Sequence, residues 1–426
     1  MKIFFVGIGG IGMSAVAQIF QAKGDEVSGS DSSISELTQS LKDKGINVYD
    51  KQIAENIDES FDLLIYSEAI PENNPERQEA KALEIRQMNY AEALGTISKE
   101  KKTIAITGTH GKTTVTGMLT SILLAAQADP TIVIGSKIDH LDNLNFRVGE
   151  SDLFLTEACE YRDNYHHLSP DVILINNLEP DHLDYFKTDE NYYKSFQIMI
   201  EKIPETGTLI VFEKDAKHLE IKNTKGKVIR VSEEQCGVSP CVLKVPGQHN
   251  KRNALAAAEV SKSLGISDEV IRRGLEDFHG TWRRFEFKGK VKGAKVYDDY
   301  GHHPTEIKAT LQGAREWFPD KRLILVFQPH QYSRTRALFS EFAGSFGAAS
   351  ETWITDIYEA RDSKEDKAAT SAEKLAEAIT DSNSKYVPFE QLSSEITKTA
   401  DPNTVFLVMG AGNINRVLSN LNYDAS

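Results

Sequence analysis

The chain has 426 residues, 40% hydrophobic and 26% charged, an ordinary soluble globular mix long enough for two to three domains. Its net charge of −14 excludes a nucleic-acid surface as the main business, but not a phosphate site, which needs only backbone N–H groups and a few cations. Three cysteines, Cys159, Cys236 and Cys241, are too few and too odd in number for a disulfide framework and fit a reducing compartment. No second Cys/His pair lies near the last two, so no zinc site is expected.

The apolar N-terminal stretch Ile3 to Phe20 holds Gly7, Gly9, Gly10 and Gly12, so it reads as strand, turn and helix rather than a signal peptide. No other stretch reaches membrane-spanning length, and a cytoplasmic location with no membrane partner is expected. A second strand, EVSGSD, ends at Asp31, 19 residues past Gly12. This is the dinucleotide fingerprint: glycines for close approach to a pyrophosphate and an acid for a ribose hydroxyl. Alone it points to NAD or FAD, yet a UDP-sugar presents the same pyrophosphate and ribose. A tight turn without ligand stays open.

The charged stretch Ser98 to Lys102 reads as a linker. After it KKTIAITGTHGKTTVTGMLTSILLAA repeats the strand, glycine turn and helix grammar. Gly108, Thr109, His110, Gly111, Lys112, Thr113 and Thr114 form its turn. Glycines let N–H groups face phosphate oxygens, Lys112 can neutralise the β- and γ-phosphates, and the Thr113 hydroxyl can join an Mg²⁺ shell. Position 106 is Ile where the full phosphate-loop pattern has Gly. A plain Gly turn with a surface Lys is the bland alternative.

DLFLTEA, DVILINN and TLIVF are strand-like, and NKRNALAAAEVSKSLG and SDEVIRRGLEDF are helical, which predicts a mostly parallel sheet with helices on its faces. Glu157 and His182 stand after two of these strands, where such sheets bind ligands. Together they can hold a second divalent cation. Mg²⁺ prefers oxygen, so the His ligand suggests that Mn²⁺ is tolerated too. His182 as a hydrogen-bonding residue is an equal alternative. Asn250 and Asn253 can read an adenine edge, although helix caps are favoured for them. Arg284 can stabilise a transferring phosphoryl group, and Asp299 can hold a ribose hydroxyl. RLILVFQP, ETWITDIY and TVFLVMG restart the pattern, and the basic cluster His330, Arg334 and Arg336 suits a carboxylate. Three α/β domains are expected, at about 1–100, 101–279 and 280–426.

Ten segments in chain order, GIGGIGMS, SEAIPENNPE, GTHGKTT, EACEYRDNY, NLEPDHLDYF, PGQHNKRNALAA, GTWRRFE, DDYGHHPTEI, PHQYSRTR and DIYEAR, closely resemble the Mur ligases of peptidoglycan synthesis, and among them the alanine-adding members. The resemblance implies a Rossmann-like N-terminal domain for a UDP-sugar, a central P-loop ATPase-type domain and a Rossmann-like C-terminal domain for the amino acid. It implies that the carboxylate of UDP-N-acetylmuramate attacks the γ-phosphate of ATP to give an acyl phosphate, which the amine of L-alanine then opens. Such an intermediate hydrolyses when wet, a reason for domain closure.

Carried over by motif, Lys112, Thr113 and Thr114 bind ATP phosphates and Mg²⁺. Glu157 and His182 bind the second cation, with Lys112 and Arg284 beside them in the chemistry. Asn250 and Asn253 contact adenine, and Arg284 and Asp299 contact ATP. His330, Arg334 and Arg336 are candidates for L-alanine, and Gly9, Gly10, Asp31, Ser67 and His110 for the UDP-sugar. The resemblance is compatible with a monomer or a homodimer. Two departures stand out: a short stretch between GTLIVF and PGQHN, and Phe196 where relatives that add later residues carry a modified lysine, with Lys194 out of register. A tripeptide-recycling ligase of the same family, a nicotinamide dehydrogenase with a fused ATPase, and a non-catalytic regulator are the alternatives. The dehydrogenase leaves the second loop unexplained, and intact Lys112, Glu157 and His182 speak against the regulator.

Overall fold

The computed structural model describes residues 1–33, 35–233, 243–360 and 362–425, without the side chains of Glu36, Leu183 and Asp184. Cys236, Cys241 and part of the short stretch before Pro246 lie outside the described residues. Contacts divide the chain into two compact units: Met1–Val242 with Asn253–Phe278, and Leu243–Arg252 with His279–Ser426.

The first unit holds two sheets. Strands β1 (Lys2–Val6), β2 (Glu26–Ser30), β3 (Asn47–Tyr49), β4 (Leu63–Tyr66) and β5 (Arg86–Asn89) pair in the order β3-β2-β1-β4-β5, all parallel. KIFFV forms β1 because its side chains are buried on both faces: Phe5 joins one apolar cluster and Phe4 the other, the period-2 signature of a covered parallel strand. Each such phenylalanine contributes about 1.5–3 kcal/mol by leaving water.

The second sheet is β12-β11-β10-β6-β9-β7-β8. Its strands are β6 (Lys102–Thr107), β7 (Thr131–Ile138), β8 (Leu144–Arg147), β9 (Leu153–Glu157), β10 (Pro170–Ile175), β11 (Thr208–Phe212) and β12 (Lys227–Val231). Among the described residues only the β7–β8 pair of this sheet is antiparallel. Between the two sheets the helix Tyr90–Glu100 runs to Glu100 and β6 begins at Lys102, so Lys101 alone separates them. The stretch read as a linker is therefore a helix end followed by a strand start. Gly95 seats that helix: an added Cβ would lie 2.5 Å from the His167 carbonyl oxygen.

The second unit is built on β13 (Glu286–Val291), β14 (Ala294–Asp299), β15 (Arg322–Phe327), β16 (Glu351–Ile354), β17 (Asn383–Tyr386) and β18 (Thr404–Met409), in the order β13-β14-β18-β15-β16-β17. It is parallel apart from the β13–β14 hairpin at its edge. One apolar cluster covers each face. No helix of the described residues is long and apolar enough to cross a membrane.

Candidate active site

The chemistry-bearing residues of the second sheet collect at three adjacent strand ends. β6 runs into Gly108–Gly111 and then into the helix Lys112–Ala125, while β9 ends at Glu157 and β10 leads into Asn176-Asn177. Gly108 (φ +125°) and Gly111 (φ +82°) adopt backbone angles that favour glycine. Space forbids a side chain as well: a Cβ on Gly108 would lie 2.9 Å from backbone atoms of Asn177, and one on Gly111 would lie 2.6 Å from Asn176 Nδ2 and Asn253 Oδ1.

Side chains just past β10 clamp the loop. The His110 N–H donates to Asn177 Oδ1 at 2.7 Å, and the His110 carbonyl accepts from Asn177 Nδ2 at 2.7 Å and Asn176 Nδ2 at 2.9 Å. The Thr109 hydroxyl donates to the Glu179 carbonyl at 2.7 Å, accepts from the Glu179 N–H at 2.8 Å and meets the buried Tyr192 hydroxyl. A glycine cradle fixed at a helix N-terminus is the local geometry that anions seek, so the loop fits a nucleotide's phosphates.

Lys112 curls back over its own loop. Its Nζ donates to the carbonyls of Gly108 and Thr109 and to both oxygens of Glu160, at 3.2 and 2.9 Å. Burial is the largest single influence and works against its charge, but the neighbouring acidic groups, Glu160 first and Glu157 among them, together hold its pKa above the ordinary lysine value. Thr113 Oγ1 donates to Glu157 Oε2 at 3.0 Å, and the other Glu157 oxygen accepts from the Gly135 N–H at 2.6 Å. A hydroxyl beside a carboxylate is the hard oxygen donor set that Mg²⁺ prefers. His182, at φ +55°, places Nε2 3.9 Å from Glu160 and stacks obliquely on Tyr161, ring centres 4.7 Å apart. The structure thus brings Lys112, Thr113, Glu157 and His182 to one corner, with Glu160 among them. His110 faces Glu179 at 3.3 Å.

The first glycine loop lies at the crevice between β1 and β4, the switch point of its sheet. The Gly9 N–H donates to Asp31 Oδ2 at 2.9 Å, Gly10 bonds back to the Gly7 carbonyl, and Ser67 packs on Gly7. Gly12 rests on the ring of Tyr90, 2.8 Å from where its Cβ would stand. A cavity of about 170 Å³ has Gly12, Tyr90, Glu157 and Cys159 in its wall. Gly12, in the first turn of the helix Ile11–Ala22 that follows the first loop, and Glu157 therefore border one cavity.

Asn250 and Asn253 lie inside the helix Gln248–Ser263, not at its cap. Asn250 Nδ2 donates to the Pro246 carbonyl at 2.7 Å, whereas Asn253 Oδ1 accepts from Asn176 at 2.9 Å. Asn253 thus belongs with the phosphate loop, and Asn250 with the second unit.

In the second unit Asp299 closes β14. Its carboxylate accepts from the N–H groups of Phe285 at 2.8 Å and Gly301 at 2.7 Å. Burial pushes its pKa up to about 6, against the pull of Arg284. Arg284 lies over the Tyr300 ring and 3.7 Å from Glu306. His330 stacks on Tyr358, and Arg334 meets His330 Nδ1 at 3.3 Å. Arg336, two residues along the same short helix, pairs instead with Asp366 at 3.1 Å. His330 and Arg334 form a pair, and Arg336 stands apart from it.

Three family descriptions match in order: the Mur ligase family catalytic domain over residues 2–102, the Mur ligase middle domain over 106–237, and the Mur ligase glutamate ligase domain over 283–412. The chain is 41% identical to the UDP-N-acetylmuramate–L-alanine ligase of Clostridium kluyveri over 98% of its own length and 96% of that protein's. The chain belongs to the Mur ligase family. Its three-domain α/β fold is also that of the UDP-N-acetylmuramate–alanine ligase of Thermotoga maritima, with a TM-score of 0.81 and 30% identity over 98% of this chain and 97% of that one. A murein peptide ligase from Psychrobacter arcticus shares the fold at a TM-score of 0.71 and 23% identity, covering both chains fully.

Within this Mur ligase fold, sequence reasoning missed Glu160, Asn176, Asn177 and Tyr192. A signal existed for Glu160, a second acid three residues after Glu157. None marked the asparagines, because neighbouring strands bring them to the loop. Phe196 is wholly buried and Lys194 is exposed, so a core residue occupies position 196.

Proposed function

We propose that this chain uses ATP to join L-alanine to the carboxylate of UDP-N-acetylmuramate, in peptidoglycan precursor synthesis in the cytoplasm. The observation that carries the reading is the shared cavity: Gly12, at the start of the helix that follows the first glycine loop, and Glu157 beside the phosphate loop line the same space. A substrate held by its pyrophosphate at the first loop can direct a carboxylate toward the second. The family's alanine-adding relatives support the choice of substrates.

In this reading Gly108–Thr114 cradles the ATP phosphates, with Lys112 against the transferring group. Thr113 would join Mg²⁺ at the phosphates, and Glu157 and His182 would hold a second divalent cation; when bound, the two supply charge neutralisation between two anions. A carboxylate oxygen attacks the γ-phosphorus, the bond to the β-phosphate oxygen breaks, and ADP leaves. The amine then attacks the acyl carbon, phosphate departs and the amine gives up its proton. Asn250 and Asn253 would contact adenine, and Arg284 and Asp299 the nucleotide. Gly9, Gly10, Asp31, Ser67 and His110 would contact the UDP-sugar. His330 and Arg334 suit the amino-acid carboxylate better than Arg336, which already has Asp366.

The test is phosphate release from ATP in the presence of UDP-N-acetylmuramate, comparing L-alanine, glycine, L-serine and a tripeptide. L-Alanine should stimulate most. No stimulation by any single amino acid would sink the assignment, and stimulation by the tripeptide alone would favour the recycling reaction.

A further inference from the structure

Glu160 has no part in the reaction proposed above, yet it sits at the centre of the corner. Its side chain is 2% exposed, and it holds Lys112 Nζ through both oxygens, at 2.9 and 3.2 Å. On its other side His182 Nε2 stands 3.9 Å away. The ammonium of Lys112 has three hydrogens, and its partners are Glu160 and the carbonyls of Gly108 and Thr109. A phosphate entering the loop must draw on the same three donors.

We infer that Glu160 is a positioning residue that sets how tightly the Gly108–Thr114 loop holds a nucleotide, by competing with the phosphates for the Lys112 ammonium. The inference rests on the loop being the nucleotide site. A buried carboxylate deprived of its cation is strongly destabilised unless another positive group compensates. When Lys112 turns to a phosphate, Glu160 keeps its negative charge beside the incoming anion and repels it. A divalent cation held near Glu157 and His182 offsets that charge. Glu160 thereby makes tight nucleotide binding depend on the cation, and it weakens the hold on ADP once the cation has gone.

The alternative is that Glu160 merely anchors the segment after β9. ADP binding separates the two, because an anchor has no reason to oppose an anion. Titration calorimetry of the full-length protein with ADP, in EDTA and in Mg²⁺, is the measurement. Glu160→Gln keeps the shape and an acceptor for Lys112 but removes the charge. It should bind ADP at least about fivefold tighter in EDTA, the repulsion between two unit charges about 4 Å apart even when screened as in bulk water. The gain in affinity that Mg²⁺ brings should shrink by a similar factor. Glu160→Ala removes the charge together with the acceptor and should shift ADP binding in EDTA in the same direction, so it carries the test if the Gln variant does not fold. Unchanged or weaker ADP binding in EDTA, by whichever variant folds, overturns the inference. Failure of the wild type to bind ADP at all would instead overturn the assignment of the loop.

Discussion

Gly111 shows how little freedom the phosphate loop has. Its φ of +82° costs a side chain roughly 1–3 kcal/mol, and a Cβ would press on Asn176 and Asn253 at 2.6 Å. Gly111→Ala should therefore weaken ADP binding at least about fivefold, the lower end of that strain at 1.4 kcal/mol per decade, while binding of the UDP-sugar stays close to wild type. Lys112→Ala should likewise abolish turnover and spare UDP-sugar binding. Equal loss of both affinities in that variant would mean that the two nucleotide sites have been exchanged. The loop itself was legible in the sequence because glycines, Lys112 and Thr113 are consecutive and each has a local reason. Asn176 and Asn177 were not, since their role exists only once β10 lies beside β6. The adenine assignment of Asn253 was drawn from resemblance. Its bond to Asn176 adds a structural duty that no spacing announces.

At the scale of elements, the buried parallel strands announced themselves as continuous apolar runs: KIFFV, TIAIT, DVILI and TVFLVM are all covered on both faces. The edge hairpin β13–β14 was hidden, because EFKGKV is exposed or half-buried at every position before Val291 and carries two lysines, as edge strands do to avoid pairing. The helix Asp268–Asp277 was readable from its periodicity, but its partner was not. It packs on the helix Lys112–Ala125 through Gly274, whose added Cβ would lie 2.5 Å from the Ile122 Cα, and the Ser121 hydroxyl donates to the Gly274 carbonyl at 2.7 Å. Backbone cannot yield as a side-chain tip can. Gly274→Ala should then destabilise the protein by about 1–3 kcal/mol, the usual cost of overpacking, in urea unfolding followed by circular dichroism. A stability equal to wild type would show that these two helices slide apart cheaply.

At the scale of the whole molecule, two acids and two histidines with large shifts lie in the second unit, and its pH dependence can be observed by itself. Burial pushes Asp298 and Asp299 up to about 6, against Arg283 and Arg284 respectively, and pushes His249 and His302 down to about 4, against Glu306. An acid whose folded pKa is raised binds its proton more tightly in the folded chain. It adds stability as pH falls from about 6 toward 3.8, and loses that stability as pH rises again. A histidine held neutral does the reverse, so stability is lost as pH falls from 6.5 toward about 4. Two groups of each kind share nearly one window, and each contributes roughly 3 kcal/mol across it, so the wild-type slope should be shallow. Asp299→Asn removes one of the two acids and leaves the histidines ahead. Its stability should fall by roughly 3 kcal/mol more than wild type between pH 6.5 and 4, whatever its starting value. All three tryptophans, Trp282, Trp317 and Trp353, lie in the second unit, so urea unfolding followed by tryptophan fluorescence reports that unit. Parallel curves for the two proteins would mean that the unfolded chain, or water reaching Asp299, already cancels the effect of its burial.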